Sequence, residues 1–514
     1  MVAESADQLL PPPTPMQPLP LLDFPIDVLF LILYELSVDD LLSLASTCKT
    51  LYTISNDRCV WLEQLECIRT RMPFLHKDRP NLLHASTDAL RRESILQTRL
   101  DRLWCRHDSP PGQIIEVIVE EAVNFFTVFP GGQWLVIILE DGRLCLRELC
   151  EPDQVPKSIT VKLGASVREV MHNFWASRAV DGSAILALSQ YATSHSVMHF
   201  YRISPAEMSI SYLGNKHLPK CRWASPIRNY PTSENLLACL HLGSEPGAMA
   251  LTLLVIPDPL NSPEGFRCEE VATIGLGKFE NHTPFGVEDE LFSICVPYTH
   301  ILVVTHGSTS IKIFNIPPLE TLPTSQAKKL NVASAPVIWE WHTPYIFSRN
   351  FEPTILMPHT PCQLVLPGEK SARNFHLVAE DTLTLHLIEF AVSRSTKPGT
   401  KVETVIHHRM HTTERDVVEG NTYLALRSHR GAWLTKGNHD LTFSTLTFQD
   451  YSKDYLAGKN RDYPLPLGSF GINYDMFEPH LVDWDYDEVS GRFCLLVQGD
   501  DGDWAVLLVD RLGA

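Results

Sequence analysis

A chain of 514 residues, 44% hydrophobic and 20% charged, is globular and too long for one ordinary domain, although a single large β architecture can occupy most of it. Its net charge of −18 argues against nucleic acid or an anionic membrane as the main partner. The longest apolar runs, Val28–Leu33 and Trp134–Leu139, are too short to span a bilayer, and twelve cysteines without a C-x-x-C pair indicate neither a zinc site nor a disulfide framework.

Residues 1–18 read as a disordered, Pro-rich leader, without the basic start and apolar core of a signal peptide. From 19 to 65 the spacing predicts three or four short helices. Pro25 fits a first helical position and Asp27 a first turn, where the helix dipole favours an acid. Val28, Leu29, Ile32, Leu33 and Leu36 then share one face, while Phe30 and Leu31 carry apolar surface to the other. Ser37–Asp40 has the form of a capping box, followed by Leu41, Leu44, Ala45 and Cys48 at helical spacing. Asn56 or Asp57 can cap a further helix whose stripe is Trp61, Leu65 and Ile68. A short helix that is apolar nearly all round needs cover on both sides, and so small a unit supplies one. The missing cover is expected to be another protein.

These residues resemble an F-box. Phe24-Pro25 stands where that family has Leu-Pro, a mild departure, and Ile32-Leu33, Asp40-Leu41-Leu42, Cys48-Lys49 and Trp61 follow its pattern over about a tenth of the chain. The resemblance implies a non-catalytic docking module that binds a Skp-type adaptor and, through it, a cullin and RING-based ubiquitin ligase. It places the adaptor contacts among Pro25, Leu29, Ile32, Leu33, Leu41, Leu44 and Cys48, with most weight on the first four. Sequence does not separate those that face the adaptor from those that face neighbouring helices.

Residues 66–112 read as a helical connector. Its segment Arg69–Arg106 has nine basic residues against four acidic, read as the solvated side of a helix with the apolar stripe Leu96, Leu100 and Leu103. A basic contact site is the alternative. After Ser109-Pro-Pro-Gly112 the texture changes to short β-branched and aromatic runs cut by Gly, Pro, Asn and Asp, so 113–514 is expected to be all-β. The fold class is thus α+β and multidomain: a small all-α bundle followed by a large all-β domain.

A weak repeat of strand, turn and strand recurs there. Its copies end in Asp141–Leu149, His195–Ile203, Thr309–Ile316, Asp381–Phe390 and Asp501–Asp510, with further units at Asn235–Ile256 and Tyr423–Phe448. About seven such units predict a β-propeller, with a pair of β-sandwiches as the competitor. The copy at Ile301–Ile316 looks like a WD repeat, but the Gly-His start is missing and Trp484-Asp485 stands at the wrong end of its unit. The expected propeller is therefore a degenerate, WD-like one.

Signals for chemistry are weak. His407 and His411 would share a helix face, yet their surroundings read as strand, so no metal is expected. Asp483, Asp485, Asp487 and Glu488 have calcium-like alternation without the Gly and closing Glu of an EF-hand, and are read as solvated turn residues. Asp500-Asp-Gly-Asp503 and Gly131-Gly132 read as turns. Neither G-x-S-x-G nor a phosphate-cradling Gly loop occurs, so neither catalysis nor a cofactor is expected. Trp175, Trp223, Trp339, Trp341, Trp433 and Trp504 are read mainly as blade-core residues. The sequon at Asn281 is discounted, because the chain is read as intracellular, in cytoplasm or nucleus. The resulting expectation is a substrate-recognition subunit of an SCF-type ubiquitin ligase. A scaffold that binds the adaptor outside a ligase, or a propeller hydrolase, would be the alternatives.

Overall fold

Capping residues divide the N-terminal segment into its helices. In the computed structural model a 3-10 turn at Leu21–Asp23 precedes α1 (Ile26–Glu35), α2 (Val38–Ala45), α3 (Lys49–Ser55) and α4 (Arg58–Arg71), and α5 spans Thr87–Trp104. The structure describes residues 21–71, 85–106, 112–119, 121–149, 157–163, 170–178, 182–191, 195–219, 221–227, 235–242, 248–256, 267–278, 292–295, 300–305, 310–315, 330–332, 337–342, 354–356, 372–380, 384–393, 402–411, 423–426, 430–436, 440–447, 467–473, 480–487, 489–499 and 501–510. The expected leader, Asn281, Glu488 and Asp500 lie outside these residues.

Pro25 is the N-cap rather than the first helical residue, and its carbonyl accepts the N–H groups of Val28 at 3.0 Å and Leu29 at 3.1 Å. Ser37 caps α2 as expected: its hydroxyl oxygen accepts the Asp40 N–H at 3.2 Å and its O–H donates to the Asp40 carboxylate at 2.6 Å. Cys48 caps α3 through its sulfur, which accepts the Leu51 N–H at 3.5 Å. Asp57 is the residue that caps α4, taking the Cys59 N–H at 2.9 Å.

The described residues fall into two compact units. One contains those up to Cys67 together with Ala85–Ile95; the other contains 68–71 and those from Leu96 onward. The helical unit buries Leu29, Leu33, Val38, Leu41, Val60, Trp61, Leu65 and Leu90. Gln64 ties α4 to α1 by donating to the Leu36 carbonyl at 3.0 Å, and the Arg91 guanidinium lies 5.7 Å over the Trp61 ring.

In the β unit, seven sheets follow one another among the described residues. The first comprises β2 (Val123–Val128), β3 (Trp134–Leu139), β4 (Arg143–Glu148) and β5 (Ser158–Lys162). The second comprises β6 (Val170–Arg178), β7 (Ala184–Tyr191), β8 (His195–Ser204) and β9 (Ser209–Pro219). The third has β10 (Cys221–Ile227), β11 (Asn235–Leu242), β12 (Ala248–Ile256) and β13 (Glu269–Lys278), extended by β17 (Leu330–Val332). The fourth is β14 (Phe292–Cys295), β15 (His300–Thr305), β16 (Ser310–Asn315) and β18 (Val337–His342). The fifth is β19 (Thr354–Leu356), β20 (Ala372–Glu380), β21 (Thr384–Ser393) and β22 (Val402–His411). The sixth is β23 (Tyr423–Leu426), β24 (Arg430–Lys436), β25 (Asp440–Thr447) and β26 (Leu467–Asn473). In the seventh, β27 (His480–Asp487), β28 (Arg492–Gln498) and β29 (Trp504–Asp510) are joined by β1 (Gln113–Val119).

Each sequence repeat falls on the middle strands of a different sheet, and the unit at Tyr423–Phe448 also takes in the first strand, β23. What the repeat did not mark are the other first strands and the fourth strands. β1 pairs antiparallel with β29, from Gln113 opposite Asp510 to Val119 opposite Trp504, so the earliest strand completes the last sheet. Shared apolar clusters join the seventh sheet to the first, the first to the second and the second to the third. Strands β10, β14, β19 and β23 are in contact in that order, and a further cluster joins the sixth sheet to the seventh. Small sheets in chain order, each against the next, make the β unit propeller-like. Two sandwiches would need a few large sheets, and the largest here has five strands.

Two sequence-based expectations are corrected by burial. The buried side of α5 is not Leu96, Leu100 and Leu103. Leu96 is exposed, and the α5 residues buried besides Leu100 are Leu90, Ser94, Gln97 and Trp104. Polar side chains can occupy that stripe because each has a partner: Ser94 donates to the Leu90 carbonyl at 2.9 Å, and Gln97 to the Val489 carbonyl at 3.0 Å.

The acids of β27 are likewise not solvated. Asp485 and Asp487 are buried. One Asp485 oxygen accepts the Thr127 hydroxyl at 2.8 Å and the Val128 N–H at 2.9 Å. Asp487 accepts the N–H groups of Gly131 at 3.1 Å and Ser490 at 2.7 Å. These carboxylates fasten the seventh sheet to the first. Gly132 adopts φ +71, and any side chain there would strike Ser490.

Asp483 has the opposite character. Burial lifts its carboxyl to about 6 from an ordinary 3.8, against the opposing effect of the Trp484 N–H, which it accepts at 2.8 Å. Near pH 3.5 folded and unfolded chains both hold this proton, so the site imposes no penalty. As pH rises through 6 the folded form must also release it, and up to about 3 kcal/mol of stability is lost. Asp483→Asn should therefore raise the unfolding free energy at pH 7.5 and leave it unchanged near pH 3.5. Parallel denaturant titrations of both proteins at the two pH values would expose an error in sign.

Candidate docking surface

Helix α1 carries apolar residues on more than one side, and the structure sorts them. Leu29 and Leu33 point into the helical unit. Leu31 is two residues from each, hence about 160° round the helix, and is 65% exposed. Val28 is exposed on the same side as Leu31, and Ile26 is 49% exposed in the first turn. Leu21, Leu22 and Phe24, in the segment that leads into the helix, are also exposed, as is Tyr52 on α3. Among the described residues these seven form most of the exposed large hydrophobic side chains. Apolar residues concentrated in so small a unit are a mark of a protein-binding surface.

The sequence-derived contact set divides accordingly. Leu29, Leu33 and Leu41 are core residues of the unit. Ile32 and Leu44 are half-buried, and Pro25 and Cys48 are exposed. Pro25 and Cys48 also shape the backbone, as the caps of α1 and α3. Leu21, Leu22, Ile26 and Tyr52 lie off the helical stripe and were not among the expected contacts, and Val28, expected on the stripe with Leu29 and Leu33, is instead exposed. Leu31 had been noted as apolar surface on the second side, and its exposure agrees with the inference that α1 requires outside cover.

Tyr34 stacks on Phe30 with ring centroids 6.3 Å apart. Its hydroxyl is hydrogen-bonded to Cys59, which raises its pKa to about 12, and the Cys59 side chain in turn holds the Asp57 carboxyl below its ordinary range. Burial pushes the Cys59 thiol up, so it is a poor nucleophile.

Residues 21–63 match the family model of the F-box domain. The chain carries an F-box domain. Such domains dock Skp-type adaptors of SCF-type ubiquitin ligases, and the exposed apolar side of α1 is suited to that role. No curated protein matches the chain by sequence. Among solved structures, Sqt1 from Saccharomyces cerevisiae is 11% identical, with a TM-score of 0.36 over 78% of this chain and 99% of its own. One structure of Sqt1 from Chaetomium thermophilum is 12% identical, with a TM-score of 0.40 over 76% of this chain and 83% of its own. Another, bound to the N-terminus of the ribosomal protein L10, is 12% identical, with a TM-score of 0.39 over 76% of this chain and 84% of its own. At such scores the likeness assigns no ligand to the F-box chain.

The other candidate sites do not gather. His407 and His411 lie in β22 as expected, where four residues of extended chain separate their Cα atoms by about 13 Å. Among the described residues no group of His, Cys, Asp and Glu is arranged to hold a metal ion. Asp501–Asp503 lies in the turn between β28 and β29, with Gly502 at φ +85. Trp504 is half-buried against the cluster joining the seventh and first sheets. Trp175, Trp223, Trp339, Trp341 and Trp433 lie on strands of the second, third, fourth and sixth sheets. Among the described residues, no helix is long and apolar enough to cross a membrane.

Proposed function

We propose that the chain is the substrate-recognition subunit of an SCF-type ubiquitin ligase. Its F-box docks a Skp-type adaptor and through it a cullin, while the β unit captures a target protein. The chain itself supplies no covalent chemistry: it brings a target near a ubiquitin-transfer machine, and the gain is proximity. The observation that carries this reading is the exposed apolar side of α1 in a domain that matches the F-box model. Pro25, Ile32, Leu44 and Cys48 are the members of the sequence-derived set available at the surface; Ile26, Val28 and Leu31 are added to them. Burying one such side chain in a partner is worth about 1.5–3 kcal/mol, so a few of them suffice for a stable complex after association costs.

The test is a binding titration with purified Skp-type adaptor, comparing the wild type with an Ile26→Asp, Leu31→Asp double variant. Both positions are exposed, so the variant should melt like the wild type; Leu29→Asp or Leu33→Asp would instead disrupt the bundle. Placing two carboxylates in an apolar interface should weaken binding by at least about a hundredfold. A wild type that does not bind the adaptor would remove the ligase reading. Binding equally tight in the variant would move the interface off this face of α1.

A further inference from the structure

The fourth strand of a blade-like sheet is its outer edge, and β5 and β1 show such an edge open to solvent. β5 alternates exposed and half-buried residues along its whole length, and β1 leaves Ile114 and Ile118 exposed. β13 is different. Ala272 and Ile274 are wholly buried, and its edge carries a fifth strand, β17, which pairs parallel with it. Ala272 lies opposite Leu330, Thr273 opposite Asn331 and Ile274 opposite Val332. Among the described residues no other sheet has a fifth strand.

Two irregularities define where that strand sits. The register of β12 against β13 shifts between Leu253 and Leu254 and again between Met249 and Ala250, which leaves Val271 and Leu276 as the extra residues. A bulge bends and twists its strand and interrupts regular pairing. The three residues that receive β17 lie between the two bulges. They form a short accepting stretch bounded at both ends.

The occupant is borrowed. β17 comes from the connection between β16 and β18, strands of the neighbouring fourth sheet. A ladder of three residues is at the lower limit of strand length, and parallel pairing is slightly weaker per residue than antiparallel. The sequence just before it is Lys328-Lys329, and the parallel direction sets this end of the strand toward the end of β13 that carries Glu269 and Glu270.

We propose that the edge of β13 at Ala272–Ile274 is a strand-acceptor site for an extended segment of a partner protein, and that Leu330–Val332 is the chain's own competing occupant. The segment it takes runs parallel to β13, presents free backbone N–H and C=O groups, and has basic residues at its N-terminal end. This is strand addition, in which backbone hydrogen bonds supply affinity and flanking charge supplies polarity. The site is independent of adaptor docking, and neither result bears on the other.

The probe is a fluorescent peptide of residues 327–335 (AKKLNVASA), titrated into the full-length wild type and into an Asn331→Pro variant. Proline removes one N–H from the internal strand and so weakens the competitor. An intramolecular occupant competes at an effective concentration of order millimolar, so the variant should bind the peptide at least about tenfold more tightly than the wild type. The same peptide N-methylated at 330–332 should not bind, and Glu269→Gln with Glu270→Gln should weaken binding severalfold. A variant that melts like the wild type yet binds no peptide overturns the proposal, as does equal binding of the N-methylated peptide. Should the variant fail to melt cooperatively, the wild type decides: excess peptide must accelerate amide exchange at residues 330–332, and unchanged exchange overturns the proposal.

Discussion

Replacing Trp104 with alanine should destabilise the β unit by about 3–5 kcal/mol, the range for deleting a fully buried tryptophan. Trp104 ends α5 and is wholly buried. Its ring lies 5.2 Å from Phe493 and 5.5 Å from Tyr486, between centroids, and the Arg430 guanidinium sits 5.6 Å over it. Phe443, Phe470 and Trp484 extend the same cluster across the sixth and seventh sheets. The backbone is held as firmly: the Thr445 hydroxyl donates to the Trp104 carbonyl at 2.5 Å, and the Ser469 N–H to the Arg106 carbonyl at 3.1 Å. Equilibrium unfolding of the full chain in urea, followed by tryptophan fluorescence, measures the loss. A change below about 1 kcal/mol would mean that the helix end is not an integral part of the β unit's core. Adaptor binding should be unaffected, because the exposed side of α1 is untouched.

The second large effect is expected at Asp101. Arg430, at the start of β24, is completely buried, and its guanidinium donates to the Asp101 carboxylate at 2.6 Å and 3.1 Å. It also reaches the Gln97 carbonyl at 3.4 Å, and the Tyr486 hydroxyl donates to the Arg430 carbonyl at 2.6 Å. Asp101→Ala leaves a buried cation without its carboxylate, which costs about 3–5 kcal/mol. The matched double variant, Asp101→Leu with Arg430→Met, should be more stable than Asp101→Ala alone, because no charge is then left inside. If the double variant were the weaker, the pair would be stabilising in its own right and the desolvation argument would be wrong. Trp104 and Asp101 share Arg430 as a partner, so their individual effects should not add.

Both predictions concern residues that the chain pattern assigned to a connector. In the structure the part of α5 from Leu96 onward groups with the β unit. The helical stripe failed there for a definite reason. Gln97 and Asp101 are polar and were therefore placed on the solvent side, but Val489 and Arg430, more than three hundred residues away, supply their partners. The same reason accounts for Asp485 and Asp487. An acid on an extended strand reads as solvated until the N–H groups of Val128 and Gly131 are seen to face it. Gly491, at φ +73, has a comparable long-range cause, since a side chain there would collide with Leu100.

What the sequence determined by itself was local: the cap at Ser37 and one at Asn56 or Asp57, the F-box spacing from Phe24 to Trp61, the change to β texture after Gly112, and one hairpin for each of seven sheets. Each of these is built up from signals a few positions apart, where helix and strand periods and turn chemistry are written directly. The tertiary structure decided which side of α1 is core and which is surface, that β1 completes the seventh sheet, and that β17 covers the third. It also decided which charges are buried. Those outcomes depend on partners brought together from distant parts of the chain, and a polar side chain is stable inside only where such a partner meets it.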